Sequence, residues 1–189
     1  CTQRGLTGLE FLAGIPGTLG GGVAMNVGAW GREIKGVISE IKILTGEGAV
    51  ERKGKDDLKF EYRGLDLPKG SIILDGNLSL SPDRPASVKK RVVSYLDDRK
   101  KRQPTDMRSA GSVFRNPEGD YAGRLIEAAG LKGRRVGGAM ISPKHANFIV
   151  NTGGASAADI MALMDLAVET VSEMFKVELV PEIRIVGGA

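Results

Sequence analysis

Apolar residues recur at helical spacing between Ala157 and Phe175, where Ile160, Leu163, Met164, Ala167, Val168, Val171 and Met174 share one face. Ser156 and Asp159 supply an S-x-x-D capping box at its start, so the pattern predicts a long helix whose methionines serve packing. A basic helix is predicted from Ser87, as N-cap, to about Arg102, with Val88, Val92, Tyr95 and Leu96 on one face and Gln103 and Pro104 closing it. A shorter helix is expected near Tyr121 to Ala129. Elsewhere the period is two. VISEIKIL, residues 37–44, sets Val37, Ser39, Ile41 and Ile43 on one side, and the GEG turn at 46–48 leads into a second strand at Ala49 to Arg52. A helical turn at Lys55 to Lys59 precedes Phe60, Tyr62 and Arg63. Further strands are expected in SIILDGNLSLS from Ser71, at Gly138 to Ile141, at Asn147 to Asn151 and in VPEIRIVG at the end. Pro82 and Pro85 bracket a linker, so the pattern gives two α+β units joined near residues 82–86.

One stretch obeys neither period. Apolar residues from Leu9 to Ile15 run into seven glycines between Gly14 and Gly31, which reads as a short helix entering a loop with exposed backbone. Such loops present N–H groups that bind phosphate oxygens. The spacing matches neither G-x-x-x-x-G-K-[ST] nor a strand–G-x-G-x-x-G–helix unit, which argues against a P-loop and a Rossmann site. Spacing alone leaves a bland glycine-rich turn open.

Composition narrows the picture. With 41% hydrophobic and 26% charged residues in 189, the chain builds real cores rather than a disordered tail. Its net charge of +4 suits anionic small molecules and falls short of a nucleic-acid footprint. The basic tract RKKRQP at 99–104 lies on a helix's polar face without interleaved aromatics, so no nucleic-acid partner is expected. A single cysteine, Cys1, excludes an internal disulfide. No apolar run of about 18 residues is present, so no membrane partner is expected, and a cytoplasmic location fits. No cluster of His, Cys and carboxylates has metal-ligand spacing.

Four residues carry candidate chemistry. Arg63 in EYRGLDL reads first as a solvated arginine, although its planar fork suits a substrate carboxylate if it faces a cleft. Ser112 in AGSVFRNP is placed at a strand entrance, either as a plain structural serine or with its hydroxyl presented. Glu182 follows Pro181 in an apolar strand, where a buried carboxylate needs a partner and an edge position leaves it in solvent. His145 is the only histidine and reads as a hydrogen-bonding structural residue.

AGIPGTLGGGVAMNVGAWG, EYR, RQP, AGSVFRNP, AAGLKG, GGAMISPKHANFIVN and VPEIRIVG stand in the order found in the MurB family, the UDP-N-acetylenolpyruvoylglucosamine reductases of peptidoglycan synthesis. The chain resembles that family over nearly its whole length. Its first segment is similar also to flavoproteins related to vanillyl-alcohol oxidase, whose alternative activity would be a flavin-dependent oxidation. The MurB resemblance implies an α+β fold in which a vanillyl-alcohol-oxidase/PCMH-like FAD-binding subdomain precedes a MurB C-terminal-like substrate-binding domain. On this chain that division gives 1–84, 85–182, and a strand at 183–189 returning to the FAD-binding region.

The resemblance further implies a cytoplasmic oxidoreductase of cell-wall biogenesis in which FAD, reduced by NADPH, passes hydride to the enolpyruvyl group of a UDP-sugar. Ile15, Pro16, Gly17, Thr18, Gly20, Gly21, Met25, Asn26, Gly28 and Ala29 would then cradle FAD. Arg63 would hold the carboxylate where negative charge grows, Ser112 would deliver a proton to the adjacent carbon, and Glu182 would polarise the carboxylate or bring a proton to it. Tyr62, Arg102, Gln103, Asn116 and His145 match positions in the substrate cleft. The chain departs from the family in two ways. The family's first flavin-binding subdomain and its G-x-G-S-N loop have no counterpart here, which raises the expectation of a truncated chain unable to hold FAD tightly. Gly64 and Leu65 follow Arg63 where the family carries a serine, and without an insertion between Asn77 and Ser87 the chain resembles the shorter subtype.

Overall fold

The structure is a computed structural model that describes residues 1–187. The chain divides into two compact units, Cys1–Asp98 and Arg99–Ala189.

In the first unit, helix α1 (Leu19–Ala24) precedes an antiparallel sheet of β1 (Ile38–Leu44), β2 (Val50–Gly54) and β3 (Ile72–Leu78), with β1 in the centre. The predicted alternation of β1 holds only from Ile41 onward. Pairing with β3 shifts register between Ile38 and Glu40, so Ile38, Ile41 and Ile43 all reach the core while Ser39 is left half-exposed. Val23, Ile34, Val37 and Leu58 complete that core.

Helix α2 (Pro85–Arg102) begins two residues before the expected cap. Pro85 tolerates this position because the first helical N–H has no intrahelical acceptor. The residues bracketed as a linker thus open a helix, most of which belongs to the first unit. Arg91 ties it there: Nε meets Glu10 Oε1 at 2.9 Å and Nη2 meets Asp83 Oδ2 at 2.5 Å. Glu10 is only 4% exposed. Burial works to raise its pKa, but hydrogen bonds from Thr7, the Gly8 N–H and Arg91 prevail and hold it at about 2. The short pair Leu6–Thr7 with Ser81–Pro82 closes the same corner.

The second unit is a four-stranded antiparallel sheet with two helices. Its strands are β4 (Arg108–Ser112), β5 (Arg135–Val136), β6 (Ala139–Ile141) and β7 (Phe148–Asn151), in the order β4, β7, β6, β5. Helices α3 (Ala122–Ala128) and α4 (Ala157–Phe175) join them in one core that includes Phe114, Leu125, Ile126, Ile141, Leu163 and Val171. The capping box at Ser156 and Asp159 forms in both directions. The methionines of α4 divide: Met164 packs in the core, whereas Met174, expected on the same face, is 56% exposed.

The C-terminal segment is not the strand anticipated there. Through Gly187 it forms only an isolated bridge, Phe114 with Pro181, and no ladder follows. Gly188 and Ala189 lie outside the described residues. Among the described residues no helix is long and apolar enough to cross a membrane.

Candidate active site

The glycine-rich segment contains a helix that the sequence does not advertise. Three consecutive glycines stand inside α1, each about 1 kcal/mol less favourable there than alanine. Thr18 caps its start by accepting from the Gly21 N–H at 3.1 Å. The space beside the glycines is limited, most at Gly22. A Cβ on Gly20 would come 3.4 Å from the Ile73 carbonyl oxygen, and one on Gly22 would come 3.1 Å from Val27 Cγ1, while Val23 is fully buried. Ahead of the helix Gly14, Pro16, Gly17 and Thr18 are exposed and Ile15 is half-buried, and Leu19, the first helical residue, is exposed too. Gly17 has φ of +142° with nothing near the place a Cβ would occupy.

Beyond the helix the chain turns sharply. Among the described residues four non-glycine residues have positive φ, and three of them are Asn26, Trp30 and Arg63; the fourth, Lys176, is the C-cap of α4. Such backbone costs on the order of 1–3 kcal/mol per residue and persists only where the surroundings impose it. For Asn26 the surroundings are explicit. Its side chain is completely buried, Nδ2 donates to the Glu61 carbonyl at 2.9 Å, and Oδ1 accepts from the Lys35 N–H at 3.3 Å. Asn26 also helps Lys35, the principal cause, to hold the Glu33 carboxyl below its usual pKa.

Glu61 belongs to the hairpin Phe60–Glu61 with Gly64–Leu65, whose two loop residues are Tyr62 and Arg63. Asn26 therefore fastens the hairpin to the glycine-rich segment. Arg63 Nη2 donates to the Gly28 carbonyl at 3.3 Å, and its guanidinium lies 4.9 Å from the Tyr62 ring centroid. Gly28 is required here, since a Cβ would fall 2.7 Å from the Arg32 carbonyl oxygen and 3.2 Å from Arg63 Nη1. Ala29 and Met25 are half-buried beside it.

In the second unit Ser112 is the last residue of β4, an exit rather than the entrance expected. Gly111, with φ of +87°, sits in an irregularity between Ser109 and Ser112 that re-aims the strand just before the hydroxyl. The next residue, Val113, accepts at its carbonyl from the Glu182 N–H at 2.7 Å, so Ser112 and Glu182 lie on adjoining backbone segments. On the opposite side Asn147 clamps Phe114: Oδ1 accepts from its N–H at 2.9 Å and Nδ2 donates to its carbonyl at 2.8 Å. Sequence reasoning passed over Asn147, whose sole sequence signal is an amide amid the apolar residues of HANFIVN.

The remaining candidates sit in varied settings. Asn116 Oδ1 accepts from the Ala122 N–H at 3.2 Å at the start of α3. His145 Nδ1 accepts from the Asn147 N–H at 3.2 Å, and its ring meets Phe148 edge-on with centroids 4.9 Å apart. Burial lowers the His145 pKa, which favours the neutral, accepting imidazole. Arg102 is the exposed last residue of α2, and Gln103 accepts from Arg99 Nη1 at 2.8 Å.

The architecture defines an α+β protein with a glycine-bound arginine hairpin in one unit and a strand-end serine next to a carboxylate-bearing segment in the other. Its second unit matches the family model described as "UDP-N-acetylenolpyruvoylglucosamine reductase, C-terminal domain" over residues 103–186. UDP-N-acetylenolpyruvoylglucosamine reductase of Alkalilimnicola ehrlichii is 47% identical over the whole chain, which covers 63% of that relative. The Anaeromyxobacter sp. reductase is 48% identical over 97% of this chain and 57% of its own length. A crystal structure of the Thermus caldophilus reductase superposes with a TM-score of 0.83 at 40% identity, covering 94% of this chain and 64% of that one. Residues 103–186 thus match that family's C-terminal domain and the whole chain is similar to these reductases, of whose length it spans less than two thirds.

Proposed function

We propose that this chain is the substrate-handling portion of an enzyme that reduces UDP-N-acetylglucosamine enolpyruvate to UDP-N-acetylmuramate, with FAD and NADPH as cofactors. The likeness to these reductases supports the reaction. The observation that carries it to particular residues is that three of the four positive-φ non-glycine residues among the described residues, Asn26, Trp30 and Arg63, fall in a glycine-rich segment and the hairpin bound to it, the fourth being a helix C-cap.

The residues present suit a phosphate-bearing cofactor. The run Gly14 to Leu19 exposes backbone, and Gly17 leaves open the space a side chain would fill. Ile15, Pro16, Gly17, Thr18, Gly20 and Gly21 would approach FAD through this open face, with Met25, Gly28 and Ala29 farther along. Asn26 contributes from beneath, because its amide is committed to Glu61 and Lys35. Bound reduced flavin would supply the hydride.

The other roles fall to side chains. Addition of hydride to the terminal carbon of an enolpyruvyl group leaves an enolate whose charge spreads into the carboxylate. Arg63 would hold that carboxylate through its planar fork, positioned by the Gly28 carbonyl and the Tyr62 ring. Ser112 would donate its proton to the adjacent carbon, a step open to a weak acid because the enolate is strongly basic. Glu182 would polarise the carboxylate or bring it a proton. Tyr62, Arg102, Gln103, Asn116 and His145 would border the substrate, and for Asn116 and His145 the hydrogen bonds above favour holding backbone in place.

The test is turnover by the full-length protein with NADPH and the enolpyruvyl UDP-sugar. We expect stoichiometric NADPH consumption and formation of the muramate product. Peroxide release from an alcohol, with no response to the enolpyruvyl substrate, would replace this reading with an oxidase.

A further inference from the structure

We propose that Asn147 is a positioning residue for the reaction, its buried amide setting how Ser112 and Glu182 are presented. The inference rests on the function proposed above. Regular pairing of β4 with β7 ends at Ser112 opposite Phe148. Past that point the chain needs other partners, because Val113 and Phe114 are each only 2% exposed and their backbone groups have no water to bond. Asn147 supplies three of them. Its carbonyl accepts from the Val113 N–H at 2.9 Å, and its side-chain amide both donates to and accepts from Phe114, standing in for a peptide of a neighbouring strand.

The far edge of the same segment carries the C-terminal residues. Arg115 N–H donates to Val180 O at 2.8 Å, and Glu182 N–H donates to Val113 O at 2.7 Å. Residues 113–115 are thus held between the Asn147 side chain on one edge and residues 180–182 on the other. A planar amide bonded in both directions permits one orientation of the Phe114 peptide groups. That orientation fixes the direction in which the chain leaves Ser112 and the height at which Glu182 docks. Asn147 itself is 3% exposed, so it acts through these segments rather than on substrate.

The experiment uses the full-length protein with Asn147→Ala, Asn147→Asp, Ser112→Ala and the double variant Asn147→Ala/Ser112→Ala. Asn147→Asp keeps the oxygen that accepts from Phe114 and loses the donor, so it tests the clamp with little change of shape. Val171→Ala, in the same core but on helix α4, serves as a stability control. We expect Asn147→Ala to lower kcat by about 10- to 100-fold with KM changed less than about threefold, and Asn147→Asp to fall between it and wild type. In the Ser112→Ala background the same substitution should cost less than about threefold, because residues that act as a unit are not additive.

An equal cost with and without the Ser112 hydroxyl, or an equal loss in Val171→Ala, overturns the positioning role while leaving the proposed function standing. Absence of turnover in wild type overturns the function instead. Hydrogen exchange on the 189-residue chain reads the clamp independently of activity. Asn147→Ala should expose the Phe114 and Glu182 amides selectively, and unchanged protection of both refutes the proposal.

Discussion

The second unit gathers fifteen buried apolar residues into one core under two helices, whereas the first has seven around a three-stranded sheet. Outer positions of that smaller sheet stay exposed at Val50, Ile72 and Leu74. The first unit compensates with charge, joining Glu10, Arg91 and Asp83 across residues distant in sequence. The difference extends to the candidate chemistry. Ser112 stands at the end of a strand backed by packed apolar side chains, so its direction follows from a ladder and a clamp. Arg63 stands in a two-residue hairpin loop at φ of +56°, so its direction is held against backbone preference by bonds to the glycine-rich segment. A rigid core suits placement of a proton donor, and a strained loop suits a cation that must meet a carboxylate closely.

The sharpest break between the units is expected in catalysis. Ser112→Ala in the full-length protein should reduce turnover by about 10²- to 10⁴-fold, read as kcat, because it removes the proposed acid. Arg63→Lys keeps the charge but loses the fork, and should lower kcat/KM by about 10- to 100-fold. Unchanged kinetics in either variant would remove that residue from the proposed site.

Stability should separate the units next. Leu163→Ala opens a cavity in the larger core and should cost about 2–5 kcal/mol in denaturant unfolding followed by amides of β7. In the first unit the acid response should come through the buried Glu10. Because the folded pKa of Glu10 lies at about 2 against an ordinary 4.5, its contribution is complete above about pH 4.5 and is lost as pH falls toward 2. Amides of β1 should lose exchange protection over that window before those of β7. Glu10→Gln should flatten the dependence; an unaltered pH profile would mean the network contributes little. The smallest effect is expected at the helix cap, where Ser156→Ala should cost about 1 kcal/mol in thermal unfolding and leave the first unit untouched.

Legibility varied with the range of the forces involved. Helix α4 and the β1–β2 hairpin follow from periodicity and turn chemistry, since caps, turns and amphipathic faces are local. The two ends of the chain were less legible. VPEIRIVG has the composition of a strand, yet a strand exists only where an edge is available to pair with it, and through Gly187 a single bridge forms. LGGGVA has the composition of a loop yet forms a helix, capped by Thr18 and packed through the buried Val23, with little room beside Gly22. The candidate residues Arg63, Ser112 and Glu182 were readable as motifs; of their supports, Asn26 was named only as part of the cofactor segment and Asn147 was not distinguishable from other amides.

By itself, then, the amino-acid sequence determined the α+β class, the main helices and strands and, through seven ordered motifs, the resemblance to the reductase family. Those depend on neighbouring residues or on type and order. Tertiary structure alone decided that Glu10 would be buried and ionised, that Arg63 would bend back to Gly28, and that Asn147 would bind both sides of Phe114. Each of these joins residues between 33 and 81 positions apart, and a hydrogen-bonding group declares its partner only when the fold has removed water from around it.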